Sequence, residues 1–244
     1  MSTVSSFVSV ILPVYNGELY LADAIKSILG QTRAASEIIV VDDGSTDRTR
    51  EIATSFGETV RYAFQSNCGP PAARNTGLEH ARGDVIGFLD ADDLWLEDKL
   101  ERQLGILTDQ PAVDVVVGFT QAMRTSEDHP EKRLPEFFGE AWPALNLGST
   151  LFRRHVFTKV GLFDDSSAFC DDWDWFMRAR EMGTLIAVDP QVVRLYRRHD
   201  HNLTRDVEVT NHHALRTLKK SLDRRRKSNG GRATSLPSMS GGAC

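Results

Sequence analysis

Three short runs in the N-terminal part of the chain, 8–12 (VSVIL), 38–41 (IIVV) and 85–89 (VIGFL), are almost wholly apolar and rich in β-branched side chains. A strand with one solvated face would alternate polar and apolar residues. These do not, so both of their faces must be covered. The segments between them have helical spacing. Leu21, Ile25 and Ile28 share one face of a helix predicted over about 19–29, stopped by Gly30. Asp47 can cap a second helix carrying Ile52, Ala53 and Phe56, with Gly57 just beyond it. Strand alternating with helix predicts an α/β fold with a parallel sheet between helical layers. Pro13 is expected to end the first strand.

The rhythm continues with a strand over 60–65 and a helix over 69–83 whose prolines suit its first turn. An amphipathic helix is predicted over 94–109, with Leu96, Leu100, Leu104 and Leu107 on one face, then a strand over 113–119. The stretch 120–145 is polar, proline-bearing and aperiodic, and reads as a loop. Helices near 153–160 and through DDWDWFMRARE (171–181) follow, then a strand in LIAVDPQVVRLYRRH (185–199). Residues 206–227 read as a basic helix, and the Gly/Ser-rich 228–244 as a disordered tail. The 244 residues are enough for one large domain. It is read here as a single domain over 1–227, with halves at about 7–119 and 120–205.

A net charge of −5 argues against a nucleic-acid partner. Cys68, Cys170 and Cys244 show neither a disulfide framework nor zinc spacing, which fits a reducing compartment. No run reaches the ~18 apolar residues of a membrane span, and the N-terminus lacks a basic leader. The expected location is cytoplasmic, with membrane contact at most peripheral.

Two of the apolar runs end on acids: VVDDGSTDRT (40–49) and IGFLDADD (86–93). Ligands of an open parallel sheet bind beyond the carboxyl ends of its strands. If these two strands are neighbours, Asp42, Asp43, Asp90, Asp92 and Asp93 line one edge. Crowded carboxylates repel one another and need a cation or hydrogen-bond donors. Hard oxygen ligands favour Mg2+ or Mn2+, commonly shared with substrate phosphates. Asp is also a common turn residue at strand ends, but two such clusters with a Gly-Ser-Thr loop between them favour a site. The absence of GxGxxG and Walker A patterns weighs against a Rossmann dehydrogenase or a P-loop enzyme.

Three segments together resemble glycosyltransferase family 2: VSVILPVYNGELYLADAIKSILGQT with EIIVVDDGSTDRTREIA, then GPPAARNTGLEHARGDVIGFLDADDLWLEDKLERQL, then STLFRRHVFTKVGLFDDSSAFCDDWDWFMRAREMG. The likeness runs over roughly 7–200. It implies a GT-A fold, a Rossmann-like mostly parallel sheet flanked by helices with an attached acceptor-binding half. It also implies inverting transfer of a sugar from a nucleoside diphosphate sugar, UDP-sugar foremost, with a divalent metal. The acceptor it implies is a glycan or lipid-linked saccharide of polysaccharide biosynthesis.

By the same resemblance, Pro13, Tyr15 and Asp43 would hold the nucleotide base and its surroundings, supported by Asp42. Asp90-Ala91-Asp92 matches the family's DxD motif, with Asp92 reaching the metal, Asp90 the ribose or the metal shell, and Asp93 behind them. The family's general base is the Asp of a Glu-Asp pair opening a Trp-rich helix. Here the pair is Asp171-Asp172, which assigns the base to Asp172 and departs from the pattern at Asp171. LYRRHDHNLT (195–204) resembles the family's closing YR.H element. There Arg197, Arg198 and His199 would face the diphosphate, with His199 completing the metal shell; a solvated loop is the alternative. Arg74 and Asn75 either orient the donor or are exposed helix residues.

The chemistry is consistent with these assignments. A nucleoside diphosphate leaves poorly unless its developing charge is neutralised, and a dication does this. The acceptor hydroxyl must lose its proton to a carboxylate within reach, although acids at a helix start also serve as caps. Trp142, Trp173 and Trp175 are core residues by default. Trp173 and Trp175 point in different directions, so at most one meets a sugar. In 213–227, Leu215, Leu218 and Leu222 share a face among basic residues, which suits either a solvated surface helix or an anionic membrane surface. Two rivals remain. A nucleotidyltransferase needs a basic N-terminal loop that PVYNGELY lacks, and a non-catalytic nucleotide-sugar or carbohydrate-binding protein would not need both Asp92 and Asp172.

Overall fold

A computed structural model describes residues 6–125, 135–143, 145–166, 170–200, 202 and 207–228. The expected alternation is present. Strand β1 (Val8–Val14), helix α1 (Leu21–Leu29), β2 (Glu37–Asp42), α2 (Thr49–Ser55), β3 (Val60–Phe64), α3 (Pro70–His80) and β4 (Val85–Phe88) follow in turn. The short β5 (Leu94–Trp95), α4 (Lys99–Asp109), β6 (Val115–Thr125), β7 (Pro135–Pro143) and β8 (Thr150–Arg153) come next, then α5 (His155–Val160), α6 (Asp171–Glu181), β9 (Ile186–Arg197) and α7 (Val207–Ser228).

One sheet runs in the order β3-β2-β1-β4-β8-β6-β9-β5, with β7 added beside β6. The first four strands are mutually parallel. β8 then pairs antiparallel with both β4 and β6, and β9 runs parallel to β6. Period-2 alternation sends side chains to two cores. Val8, Val10 and Leu12 pack under α1 and α4, with Ile25, Ile28, Leu100 and Leu104. Ile11, Ile39 and Phe88 face α3, α5 and α6, with Phe157, Trp175 and Phe176. α3 lies very close to β1: a Cβ at Gly77 would come within 2.3 Å of Ile11 Cγ2.

The chain leaves β1 toward β2 and β3 and returns to its other side at β4, so the strand order reverses at β1. That is where parallel sheets open a crevice. The acid-tipped β2 and β4 are therefore not adjacent. β1 lies between them and holds the tips about 10 Å apart at ordinary strand spacing.

Three local expectations are corrected. β1 runs through Pro13 to Val14 rather than stopping at Pro13. Pro13 faces β4, and the ladder with β4 ends at the Ile11–Phe88 pair, just where Pro13 has no N–H to continue it. Residues 94–109 are not one helix. Leu94 and Trp95 pair with Leu195 and Arg194 of β9, Leu96 donates its N–H to Val193, and the helix begins only at Lys99. The loop expected over 120–145 is strand at both ends, because β6 continues to Thr125 and β7 pairs with it. β7 is a proline-bounded edge strand with exposed Phe137 and Trp142, so it has no buried face to impose alternation. The centre of that stretch, 126–134, and the tail from 229 onward lie outside the described residues.

Candidate active site

The crevice is built from loops after β1, β2 and β4, the start of α6 and the end of β9. Tyr15, on the loop after β1, is 55% exposed, while Pro13 behind it is buried. Asn16 ties that loop to the one after β2: its N–H donates to Ser45 Oγ, and its Oδ1 accepts from the Thr46 N–H.

The acids at the β2 tip are buried and satisfied by neutral donors. Asp42 accepts from the Ser45 N–H at 2.8 Å and from the Tyr62 hydroxyl at 2.6 Å. Burial and the neighbouring Asp42 push the Tyr62 phenol up, so it remains a donor. Asp43 accepts from Gln65 Nε2 and from the Cys68 and Gly69 N–H groups, at 2.7, 2.9 and 2.8 Å. Gly69, with φ of 89°, makes the turn that starts α3.

The acids at the β4 tip meet arginines. Asp90 lies between Arg74 (Nη2–Oδ1 3.1 Å) and Arg194 (Nη2–Oδ2 3.5 Å). Against the effect of burial, these two hold its carboxyl below the usual range. Asp93 is fully buried. It accepts from Arg194 Nε at 2.7 Å and from Nη2, and from the Arg197 N–H at 2.9 Å. Arg194 lies beside Gly148, where a Cβ would be 2.7 Å from its Nε. The mutual repulsion expected of five acids is thus answered by protein groups. Asp92 is the exception in kind. Its Oδ2 meets neutral or titratable groups, His199 Nε2 at 3.0 Å and Asn202 Nδ2 at 3.2 Å, and its side chain is 29% exposed beside 38% for Asp90.

His199 packs on Tyr20, with ring centroids 4.9 Å apart. Among the described residues no cluster of three or more His, Cys, Asp and Glu gathers to hold a metal. The Asp92–His199 pair does fit part of a metal shell. A separation of 3.0 Å is that of two adjacent ligands on one small dication with bonds of about 2.1 Å. Arg197 is buried: its Nε donates to the Asp92 carbonyl at 2.8 Å, and its guanidinium lies 4.6 Å from the Tyr20 ring centre and 3.6 Å from Asp23. Arg198 is exposed and lies over Phe138.

Asp172 opens α6 on the facing wall. Its Oδ1 accepts the Trp173 N–H at 2.8 Å. Burial, and then the charge of Asp171, push its carboxyl up to about 7. Asp171 is buried against Arg74 Nη1 at 2.6 Å. Arg74 therefore spans the crevice, with Asp171 on one end of its guanidinium and Asp90 on the other. Asn75, one residue on, exchanges two hydrogen bonds of 3.0 Å with the Phe163 main chain. Trp175 is wholly buried with its indole N–H on Gly161, whereas Trp173 is 46% exposed beside Asp172.

Sequence reasoning missed Arg194, Tyr62, Gln65, Tyr20 and Asn202. Only Arg194 left a signal, as a lone charge inside the apolar run VVRLY. A cavity of about 350 Å³ lies at the opposite end of β2, lined in part by Phe7, Glu37, Arg61 and Arg82. Glu37 is already paired with both arginines there.

The family model described as glycosyl transferase family 2 matches residues 9–198. An uncharacterized glycosyltransferase of Rickettsia typhi is 35% identical over 216 residues, which is 83% of this chain and 67% of that protein. The minor teichoic acid biosynthesis protein GgaA of Bacillus subtilis is 32% identical over 69% of this chain and 42% of its own length. The chain thus spans from about two fifths to two thirds of these relatives. Among solved structures, the mannosyltransferase PcManGT of Pyrobaculum calidifontis, in complex with GDP-Man and Mn2+, superposes with a TM-score of 0.70 at 24% identity. That match covers 96% of this chain and 67% of the other. TarS of S. aureus, in complex with UDP-GlcNAc, gives 0.67 at 20% identity, covering 92% and 74%. Both likenesses are of fold, and the fold is GT-A.

Proposed function

Because the chain belongs to glycosyltransferase family 2, we propose that it is an inverting, metal-assisted transferase working at the cytoplasmic face of a membrane. It moves a sugar from a nucleoside diphosphate sugar, UDP-sugar foremost, to a glycan or lipid-linked saccharide in polysaccharide assembly. The observation that carries this reading is the Arg74 bridge. It brings a carboxyl poised near neutrality, Asp172, to the same crevice as the DxD turn. The teichoic acid relative supports a polysaccharide acceptor. The solved neighbours carry UDP- and GDP-sugars alike, which supports a nucleotide sugar as donor and leaves UDP the preference of the sequence resemblance.

In this reading Tyr15 stacks on the base at the mouth of the crevice, against Pro13. Asp42 and Asp43 hold the loops that frame the nucleotide, and Asn75 holds the 161–164 segment beside it. Asp92 and His199 would hold the dication, with a diphosphate supplying further oxygens, and Arg197 fixes the turn that carries Asp92. That ion would neutralise charge gathering on the departing diphosphate. Asp90, set between two guanidiniums, presents its remaining acceptor capacity toward the ribose. Asp172 accepts the acceptor hydroxyl's proton while that oxygen attacks the anomeric carbon from the side opposite the leaving group, which inverts the centre. Trp173 offers an exposed ring face to the acceptor sugar.

The test is nucleotide release from a panel of UDP-, GDP- and dTDP-sugars, with and without Mn2+. The expected result is release from one nucleotide class, stimulated by the metal and lost in Asp92→Asn and in Asp172→Asn. Undiminished turnover in both variants rejects the mechanism.

A further inference from the structure

Helix α7 packs against α6 the wrong way round for a surface helix. Its polar side faces the protein. Thr217 and Ser221 are buried, and Ser221 Oγ donates to Glu181 at 2.6 Å. Arg224 binds Glu181 (2.7 Å) and Asp174 (2.9 Å), and Lys220 binds Asp164 (2.7 Å) on the loop before α6. These contacts turn the apolar stripe outward: Leu215, Leu218 and Leu222 are 68%, 43% and 37% exposed. Their spacing puts them on one face. Arg216, Lys219, Arg226 and Lys227 are exposed around them, against a single exposed acid, Asp223, between 211 and 227.

A helix that buries hydroxyls and ion pairs while presenting leucines among cations is built to meet something both apolar and anionic. We infer that this face of α7 docks on an anionic lipid bilayer, leucines in the interface and cations at the headgroups. Charge selects this occupant. A second copy would bring the same cations face to face. Residues 229–244 hold no acid and few apolar side chains, so they complement neither feature of the stripe. The inference deepens the lipid-linked acceptor reading and rests on it for its purpose: α7 is bound to α6, whose first turn carries Asp172, so docking brings the base to the surface where such an acceptor lies.

The test is co-sedimentation of the full chain, without donor or acceptor, with vesicles of phosphatidylglycerol and phosphatidylcholine or of phosphatidylcholine alone. Binding to the anionic vesicles that weakens with salt is expected. The triple variant Leu215→Gln/Leu218→Gln/Leu222→Gln should lose at least roughly tenfold in partition. Arg216→Gln/Lys219→Gln/Arg226→Gln should lose about fivefold per charge. All six side chains are exposed, so thermal unfolding and nucleotide release stay at wild-type values in both variants. Wild-type protein that ignores anionic vesicles, or a leucine variant that binds as well as wild type, overturns the inference. So does a dimer in light scattering that the leucine variant dissolves, which gives the stripe to a second copy. Because no donor is present, any of these results leaves the transferase reading standing, and a failed donor screen leaves the vesicle result standing.

Discussion

The tips of β2 and β4 look alike as sequence, each an apolar run ending on aspartates, and are neutralised in opposite ways. Asp42 and Asp43 are met by a phenol, an amide and main-chain N–H groups, all neutral. Asp90 and Asp93 are met by guanidiniums, and Asp92 by an imidazole and an amide. Neutral donors make the β2 tip a framework whose charge is spread over short hydrogen bonds. Fixed cations at the β4 tip face two carboxylates, Asp90 and Asp93, whereas Asp92, partly exposed like Asp90, meets an imidazole and an amide. The two tips therefore divide the labour, one shaping loops and the other holding charge.

The sharpest break in that comparison is catalytic. Asp92→Asn and Asp172→Asn should each cut turnover by about 10²–10⁴-fold, whereas Tyr62→Phe at the β2 tip should leave turnover within a small factor. Thermal unfolding keeps the two effects apart. The Asp172 carboxyl is raised in the fold, so stability is lost as pH climbs from the ordinary carboxylate range to about 7, and the loss is complete above it. Asp172→Asn should then melt no lower than wild type at pH 8. A variant that melts well below wild type would show that Asp172 is a structural cap instead.

Next in size is stability. Asp93→Asn takes from Arg194 its nearer carboxylate, leaving it Asp90 at 3.5 Å, and should cost up to about 3–5 kcal/mol in urea unfolding. Asp43→Asn keeps a hydrogen-bonding side chain among neutral donors and should cost about 1–3 kcal/mol. Equal costs would erase the distinction between the tips. Arg74→Ala strands Asp171 and leaves Asp90 with Arg194, so it should match the Asp93 loss and also depress turnover, with Arg74→Lys intermediate.

A smaller effect concerns pH. The kcat/KM of the wild type should climb through about pH 7 as Asp172 ionises. Asp171→Asn removes a charge that raises Asp172 and should move this limb to lower pH. An unmoved limb would assign it to another group. Smallest of all, Tyr62→Phe should cost about 1 kcal/mol.

Much of this was legible along the chain. The apolar runs, the helical stripes of α1 and α4 and the order of the motifs placed β1, β2, β4 and α6, with Asp42, Asp43, Asp90, Asp92 and Asp172 at their ends. β7 was not legible, because an exposed edge strand has no buried face to leave a period. β5 was not, because a two-residue strand exists only through its partner β9. Trp173 and Trp175 could be told to diverge, but which one is buried depended on where α6 lies over Phe152 and Phe157.

The sequence by itself determined the layers and the positions of the acids, since both follow from periodicity and punctuation within a few residues. The tertiary structure alone decided which carboxylates meet fixed cations. Arg194 reaches Asp93 across 101 residues, His199 reaches Asp92 across 107, and Arg74 reaches Asp171 across 97. Charges of such short range are invisible to local pattern, and they compensate a carboxylate only once the sheet order has put β9 and α3 beside the tip of β4.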